Sequence, residues 1–446
     1  MRRERAVGES LWEAVLPAEL LRLPAELERV DAILDEDRFL QPFRSRLTAS
    51  TGRPTIPIET YVRLMYRKYR YGLGYETLVR EVADSFSWRR FCRIALDGRV
   101  PDSTTLIKLT NRLGPGLGEE LNAELLKVAV ERRVLRSRRL RVDSTIVESD
   151  TQYPTDSGLC AHAVSRLTAA AAAVHAAGLA ARSRVRDRRR GVARRIGWIS
   201  AALSRVGRSR EAVVALTADI AARAKQTVRE ARRVLRNGAR AVRGGRRGAA
   251  QVARLRRELE AAEQILAQTE QRLRGERSIP NRRISLVDAD ARPVPCGKRY
   301  RPNQFGSKAR VADTAEGVLI CEIPTIGNPA DETLLGGALD RAMDAGMRVQ
   351  AVFADRGFAT PAARDELARR GITDVVIPAR GRGSPREQSR AWRRRYRFRN
   401  GIEGRISQAK RHGLRRTRLR GLAGAQTWVG GLTLAHNLRR LAALTA

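Results

Sequence analysis

The chain is poor in the residues that do sulfur and imidazole chemistry. Its four cysteines, Cys92, Cys160, Cys296 and Cys321, are scattered and include no CxxC pair. That pattern argues against a disulfide framework or a structural zinc site and fits a reducing cytoplasm. The four histidines, His162, His175, His412 and His436, do not cluster, so neither a His-based metal site nor a His-activated nucleophile is expected. No run reaches the ~18 apolar residues of a membrane span, and the most apolar-looking stretch, 167–181, is short and mostly alanine. The first residues, Met-Arg-Arg-Glu-Arg, are not followed by the apolar core of a secretory signal. Acidic side chains are scarce too, with 48 Asp and Glu against 87 Lys and Arg, a formal net charge of +39. A high Arg content alone does not account for that imbalance. It points to a polyanionic partner bound through its phosphates, most simply nucleic acid.

At 446 residues with 42% hydrophobic content, a sizeable core and more than one domain are expected. Residues 1–130 read as short amphipathic helices, at 11–16, 26–34, 59–69, 76–85 and from 87. A stiff Arg53-Pro54-Thr55-Ile56-Pro57 link and a Gly72–Tyr75 turn separate some of them. Asp102-Ser103-Thr104 is an N-cap leading a further helix to Leu113. Such a set suits either a helix-turn-helix DNA reader or a plain packing bundle. Residues 139–147 change period and read as a strand with Asp143 inside it. Residues 153–158 read as a loop. Residues 161–274 are long, Ala/Arg-rich and helical, with breaks expected at Asn237-Gly238 and at 244–248. Their arginine runs, 186–195 and 229–247, fit either solvated faces or contacts to a DNA backbone.

After Pro280 the pattern becomes α/β. Strands at 308–313 and 318–323 form a hairpin around 314–317. A helix at 331–345, a strand at 349–354, a helix at 361–370 and a strand at 374–378 follow. Residues 381–395 read as a basic linker, 396–410 as a helix, and 425–444 as another helix.

Two carboxylates stand out at strands. Asp143 sits mid-strand in Arg-Val-Asp-Ser-Thr, where an unpaired charge is costly. Asp355 closes the strand ending Val-Phe-Ala. A third, Glu403, lies in the helix 396–410 with Tyr396, Arg399 and Lys410, spaced Tyr-x2-Arg-x3-Glu-x6-Lys. At about 100° per residue, all four fall within roughly 60° of one another on one helix face. Hard divalent cations take oxygen ligands, and reaction at a phosphodiester calls for charge neutralisation at both the attacking and the leaving oxygen. Glu148, Asp150 and Asp156, close behind Asp143, read as solvated loop acids or an outer ligand. Trp88, Trp392 and Trp428 fit core packing or stacking on bases.

The motifs Val142–Ser149 with Tyr153–Leu159, Ala354–Phe358 and Gly401–Ser407 resemble the three acidic motifs of DDE transposases of bacterial insertion sequences. The Tyr396/Arg399/Glu403/Lys410 spacing is their YREK signature. Residues 53–113 resemble the N-terminal region of such enzymes, and Trp428–Leu438 fits the ISNCY-type group. The resemblance implies an α/β ribonuclease-H-like catalytic core with a helical N-terminal domain and a long helical insertion after the first core strand. The implied partition is 1–130, 131–160, 161–277 for the insertion, and 278–446. The implied activity is cleavage at element ends and joining of 3′ ends to target DNA. Asp143, Asp355 and Glu403 would hold two Mg²⁺ or Mn²⁺ ions, and Tyr396, Arg399 and Lys410 would bind DNA. Double-stranded transposon ends and target DNA would be the partners of a homodimer or larger oligomer, in the cytoplasm at the nucleoid and without a membrane. A ribonuclease-H-like nuclease lacking strand transfer and a non-catalytic DNA-binding protein are the alternatives.

Overall fold

The structure is a computed structural model and describes residues 3, 15–17, 19, 22–47, 54–204, 209–242, 246–298, 301–381 and 385–445. Most of the helix expected at 11–16, Arg53 of the stiff link, and the 244–245 break lie outside these residues. Two compact units are present, one made of 1–150 with 294–446 and the other of 151–293.

The first unit begins with helices α1 (Ala25–Leu34), α2 (Gln41–Arg44), α3 (Ile58–Arg70), α4 (Tyr75–Asp84), α5 (Phe86–Phe91), α6 (Ser103–Leu113) and α7 (Gly116–Glu131). Asp102 caps α6 by accepting from the Thr104 N–H at 2.8 Å. Helix α3 is buried over almost its whole length. Even Arg63 is enclosed there, and Asp31 and Asp35 on and beside α1 bind it at 2.5 and 2.7 Å. The last helix, α17 (Gly421–Leu444), packs on α3 and α7. Gly430 and Gly118 let α17 and α7 approach to backbone contact, where a Cβ on either would lie 3.1 Å from the other's Cα. Trp428 is core. It meets Tyr69 edge-on at 5.6 Å between ring centroids and donates to the Gly413 carbonyl. One hydrophobic cluster runs through these helices and the sheet, so residues 1–130 share their core with the α/β part.

The sheet comprises β1 (Arg139–Glu148), β2 (Arg292–Lys298), β3 (Arg301–Thr314), β4 (Leu319–Glu322), β5 (Ala351–Ala354) and β6 (Asp374–Val376). Its order is β2-β3-β1-β5-β6, with β4 also paired to β3. β1 is antiparallel to β3 and parallel to β5, and β5 is parallel to β6. The β3–β4 turn closes on Gly317 at φ 83°, a left-handed position that suits glycine. The Asn437 side chain of α17 donates to the Leu319 carbonyl and accepts from the Leu319 N–H, both at 2.8 Å, so a side chain satisfies the edge of β4. His436 beside it donates to the Gly317 carbonyl at 3.1 Å, and burial holds its imidazole down to about 4.

Helices α12 (Glu332–Asp344) and α13 (Pro361–Arg369) connect the parallel strands. Two sequence expectations change after them. The presumed basic linker is helical, as α14 (Pro385–Gln388) and α15 (Arg390–Tyr396), because Ser389 caps α15 through the Trp392 N–H. The expected helix 396–410 is helical throughout, with right-handed helical backbone at Tyr396, Arg397, Arg399, Asn400 and Lys410, but it runs on from α15 and changes pitch along its length. Tyr396 ends α15, Arg397–Arg399 form a 3₁₀ turn, α16 spans Asn400–Ala409, and a π-turn runs Lys410–Leu414. Strand β2 was not foreseen; two prolines, Pro293 and Pro295, mask it, since proline cannot donate to a ladder.

Among the described residues, the second unit holds four helices, α8 (Asp156–Ala176), α9 (Arg189–Ser204), α10 (Arg210–Ala241) and α11 (Arg246–Leu273). The expected loop 153–158 gives way to helix at Asp156, because Thr155 caps it by accepting from the Gly158 N–H at 3.0 Å. Asn237-Gly238 does not break α10. Gly238 is buried where the helices cross, and a Cβ there would press on Val174 and Val252 at 3.2 and 3.3 Å. The core is built largely of alanine and valine, with Ala170, Ala171, Val174, Ala224, Val228 and Ala231 buried. Glu263 and Glu270 of α11 pair with Arg232 and Lys225, and Glu230 pairs with Arg188. Between those flanks α10 exposes Arg229, Arg233, Arg236 and Arg240 at helical spacing, none in an ion pair with a described acid.

Candidate active site

The parallel register aligns Val142 of β1 with Ala354 of β5, so Asp143 and Asp355, each one residue further on, emerge side by side. One oxygen of each carboxylate is fixed by a backbone N–H. Asp143 Oδ1 accepts from Ser144 at 2.7 Å, and Asp355 Oδ1 accepts from Gly357 at 2.8 Å. The other oxygens turn toward Arg399. Its Nη2 lies 2.9 Å from Asp143 Oδ2 and 3.9 Å from Asp355 Oδ2, while Nη1 donates to Glu403 Oε1 at 2.7 Å. One guanidinium therefore gathers carboxylates from a strand, a strand end and a helix. Side-chain exposure rises from 14% at Asp143 through 40% at Asp355 to 64% at Glu403, so the site opens to solvent on the Glu403 side.

Burial pushes the Asp143 carboxyl up to about 6, with Asp355 and Asp331 adding to the rise and the Ser144 N–H and Arg399 opposing it. Burial also raises the Tyr396 phenol, and its charged neighbours are Arg399 and the three carboxylates. Tyr396 is thus beside the site, its ring stacked on Trp392 at 4.9 Å. Lys410 begins the π-turn at the end of α16, about 10 Å along the axis from Glu403 at 1.5 Å per residue.

The turn that carries Arg399 is seated on the sheet. Phe398 packs against Phe353 at 4.9 Å and lies under the guanidinium of Arg141 at 4.6 Å. Arg141 donates to the Phe398 carbonyl and grips the fully buried Asp313 of β3 with two bonds of 2.7 Å. Gly401 is required here, because a Cβ would overlap Arg141 Nη1; Gly404 meets nothing within 4 Å.

Sequence reading missed Asp331 and Lys308. Lys308 of β3 donates to Asp331 Oδ1 at 3.1 Å, and Asp331 lies against Gly357, beside Asp355. Asp331 reads in sequence as an ordinary helix start, and only the β3 register brings Lys308 to it. Glu148 accepts from Gln304, and Asp150 lies 3.6 Å from Arg416. In the second unit Asp156 pairs with Arg282.

Residues 279–438 match the model of the transposase DDE domain. This is a DDE-type transposase. Residues 17–112 match a second model, described as a transposase domain (DUF772). The DDE match contains Asp355 and Glu403 and starts after Asp143, which the β1–β5 register and Arg399 bring to them. The DDE domain implies a ribonuclease-H-like α/β core and divalent metal ions such as Mg²⁺. No solved structure matches the chain. No described helix is long and apolar enough to cross a membrane.

The donor set fits such ions in kind, being three hard carboxylates against one guanidinium, which leaves an excess of negative charge in a very basic protein. As arranged around Arg399, no three Asp, Glu, His or Cys side chains among the described residues form a closed ion-holding group.

Proposed function

We propose that this transposase cleaves DNA at the ends of an insertion sequence and joins the 3′ ends to target DNA, with Asp143, Asp355 and Glu403 as the ion-holding triad. The observation that carries the reading is the meeting of these three carboxylates, from three separate elements, at one guanidinium. Mg²⁺ or Mn²⁺ held by them, as a pair, would supply charge neutralisation at the attacking and leaving oxygens of the phosphodiester. The chain's own part is orientation. The Ser144 and Gly357 N–H groups hold one oxygen of each aspartate, and Phe398 seats the turn that precedes Glu403. Tyr396, Arg399 and Lys410 are assigned to DNA phosphates near the cut, with the fork of Arg399 suited to two-point binding. Their spacing supports a YREK-type reading, and Trp428–Leu438 supports a likeness to the ISNCY group. The expected assembly is a homodimer or larger oligomer on DNA, in the cytoplasm at the nucleoid.

We assign end recognition to the helices within 17–112. An open cleft of about 810 Å³ there is lined by Arg99, Lys108 and Arg112, among others, beside the start of α6. Incubation of the purified protein with a labelled end duplex, Mg²⁺ and a target plasmid tests the reading. Joined products are expected. Cleavage without joining points instead to a nuclease, and a gel shift alone to a DNA-binding protein.

The helical insertion takes a share in holding DNA. The four exposed arginines of α10 span about 16 Å of helix, the reach of several phosphates along a duplex. Replacing Arg229, Arg233, Arg236 and Arg240 together by alanine keeps the helix and removes up to four phosphate contacts. The slope of log affinity against log salt is expected to flatten by up to about 3.6. An unchanged slope would make this face merely solvated.

A further inference from the structure

We propose that Arg399 is a resident counter-ion that competes with divalent cations for the carboxylate triad, and that a DNA phosphate draws it away to open the site. This rests on the reading of Asp143, Asp355 and Glu403 as the ion-holding residues. The guanidinium takes the oxygens an ion would need. It binds Asp143 Oδ2 at 2.9 Å and Glu403 Oε1 at 2.7 Å, with Asp355 Oδ2 at 3.9 Å. The backbone already holds the other aspartate oxygens, Oδ1 of Asp143 and Oδ1 of Asp355. An ion entering between these side chains therefore meets a fixed positive charge and must displace it.

Arginine stays charged at any working pH, so proton loss cannot release it. What can release it is a competing anion that matches its fork, and a phosphate does so. Its present hold is incomplete, because the Nε atom is buried without a hydrogen-bond partner. Arg399 also lies on a three-residue turn between α15 and α16, with only 13% of its side chain exposed. Its exchange between triad and phosphate is a side-chain motion at the mouth of the site. The consequence is an order of events in which DNA binds first, the ions load second, and the protein without DNA binds metal poorly.

The test is Mn²⁺ binding by the full chain, read by the paramagnetic resonance of free Mn²⁺, with and without an end duplex. Wild type, R399Q, R399K and D143N are compared. Without DNA, R399Q is expected to bind Mn²⁺ at least about tenfold more tightly than wild type, since the competing charge is gone. R399K, which keeps the charge but loses the fork, should fall between them. The duplex should tighten Mn²⁺ binding to wild type more than to R399Q, and Mn²⁺ should tighten duplex binding by the same factor. In EDTA, R399Q should melt lower than wild type, with Mn²⁺ closing the gap as it takes over neutralisation of the triad. If R399Q is too unstable to measure, R399K alone decides. Affinity in R399Q or R399K equal to or weaker than wild type overturns the competition. A D143N protein that binds Mn²⁺ as wild type does overturns the ion-site reading itself, a result distinct from failure of the competition.

Discussion

Asp143→Asn, Asp355→Asn and Glu403→Gln each abolish DNA cleavage while leaving duplex binding intact. The expected loss in single-turnover cleavage is on the order of 10³-fold or more, about 4 kcal/mol of barrier, the scale of removing a ligand that holds transition-state charge. The substitutions keep side-chain size, so the fold should hold. They also remove one negative charge from a site that already has more acids than Arg399 can balance. Binding survives because the N-terminal helices and the arginines of α10 stand apart from these carboxylates in sequence and in kind. The effects are not additive, since a pair of such changes should cost little more than one when the ligands act as a unit. Cleavage at wild-type rate by any one variant removes that residue from the triad. The measurement is rapid-quench cleavage of an end-labelled duplex in Mg²⁺, with a gel shift in EDTA as the control.

Asp313→Ala is expected to have the largest effect on stability. Asp313 is fully buried, and among the described residues its compensation is the two-pronged grip of Arg141 and the nearby Arg405 at 3.6 Å. Removing it leaves the buried Arg141 guanidinium without its acid, which costs about 3–5 kcal/mol. At roughly 2–4 °C per kcal/mol for a unit of this size, melting should fall by on the order of 10 °C. Activity should fall further than stability explains, because Arg141 supports Phe398 and so the turn carrying Arg399. Replacing both partners by apolar residues, Arg141→Met with Asp313→Leu, should recover most of the melting temperature but not the activity. Recovery of both would show that the pair supports the sheet alone. A calorimetric scan read beside the cleavage rate separates the two effects.

Much of the candidate site was legible because buried or strand-borne carboxylates are conspicuous in a chain so rich in arginine. Asp143 interrupts an apolar strand, and Asp355 ends another. The order strand, hairpin, helix, strand, helix, strand follows from changes of period alone, and the structure has β1, β3, β4, α12, β5, α13 and β6 in that sequence. Strand β2 escaped because its prolines imitate a loop. Gly238 read as a break because local propensity ignores what packs on a helix; in the fold Val174 and Val252 hold it in place. The 396–410 helix read as one piece because Tyr396, Arg399, Glu403 and Lys410 align on one helix face, in spite of Gly401 and Gly404. Over Arg397–Arg399 it tightens to a 3₁₀ turn, where Phe398 docks on Phe353 and Arg141 crosses at Gly401.

The sequence by itself determined the chemical inventory, namely oxygen donors rather than sulfur or imidazole, a surplus of cations for phosphate, one strand with an aspartate inside it and another that ends at one. Those are properties of residue type and local spacing, which the chain carries before it folds. Only the tertiary structure decided which groups share a point in space. The β1–β5 register set Asp143 beside Asp355. Arg141, gripping Asp313 and lying over Phe398, supports the turn that brings Arg399 onto the acids, of which spacing along one helix had aligned it only with Glu403. Long-range pairing is the physical reason, because an ion pair between residues 143 and 399 depends on sheet order and on the seating of a turn, and neither is encoded in any local window.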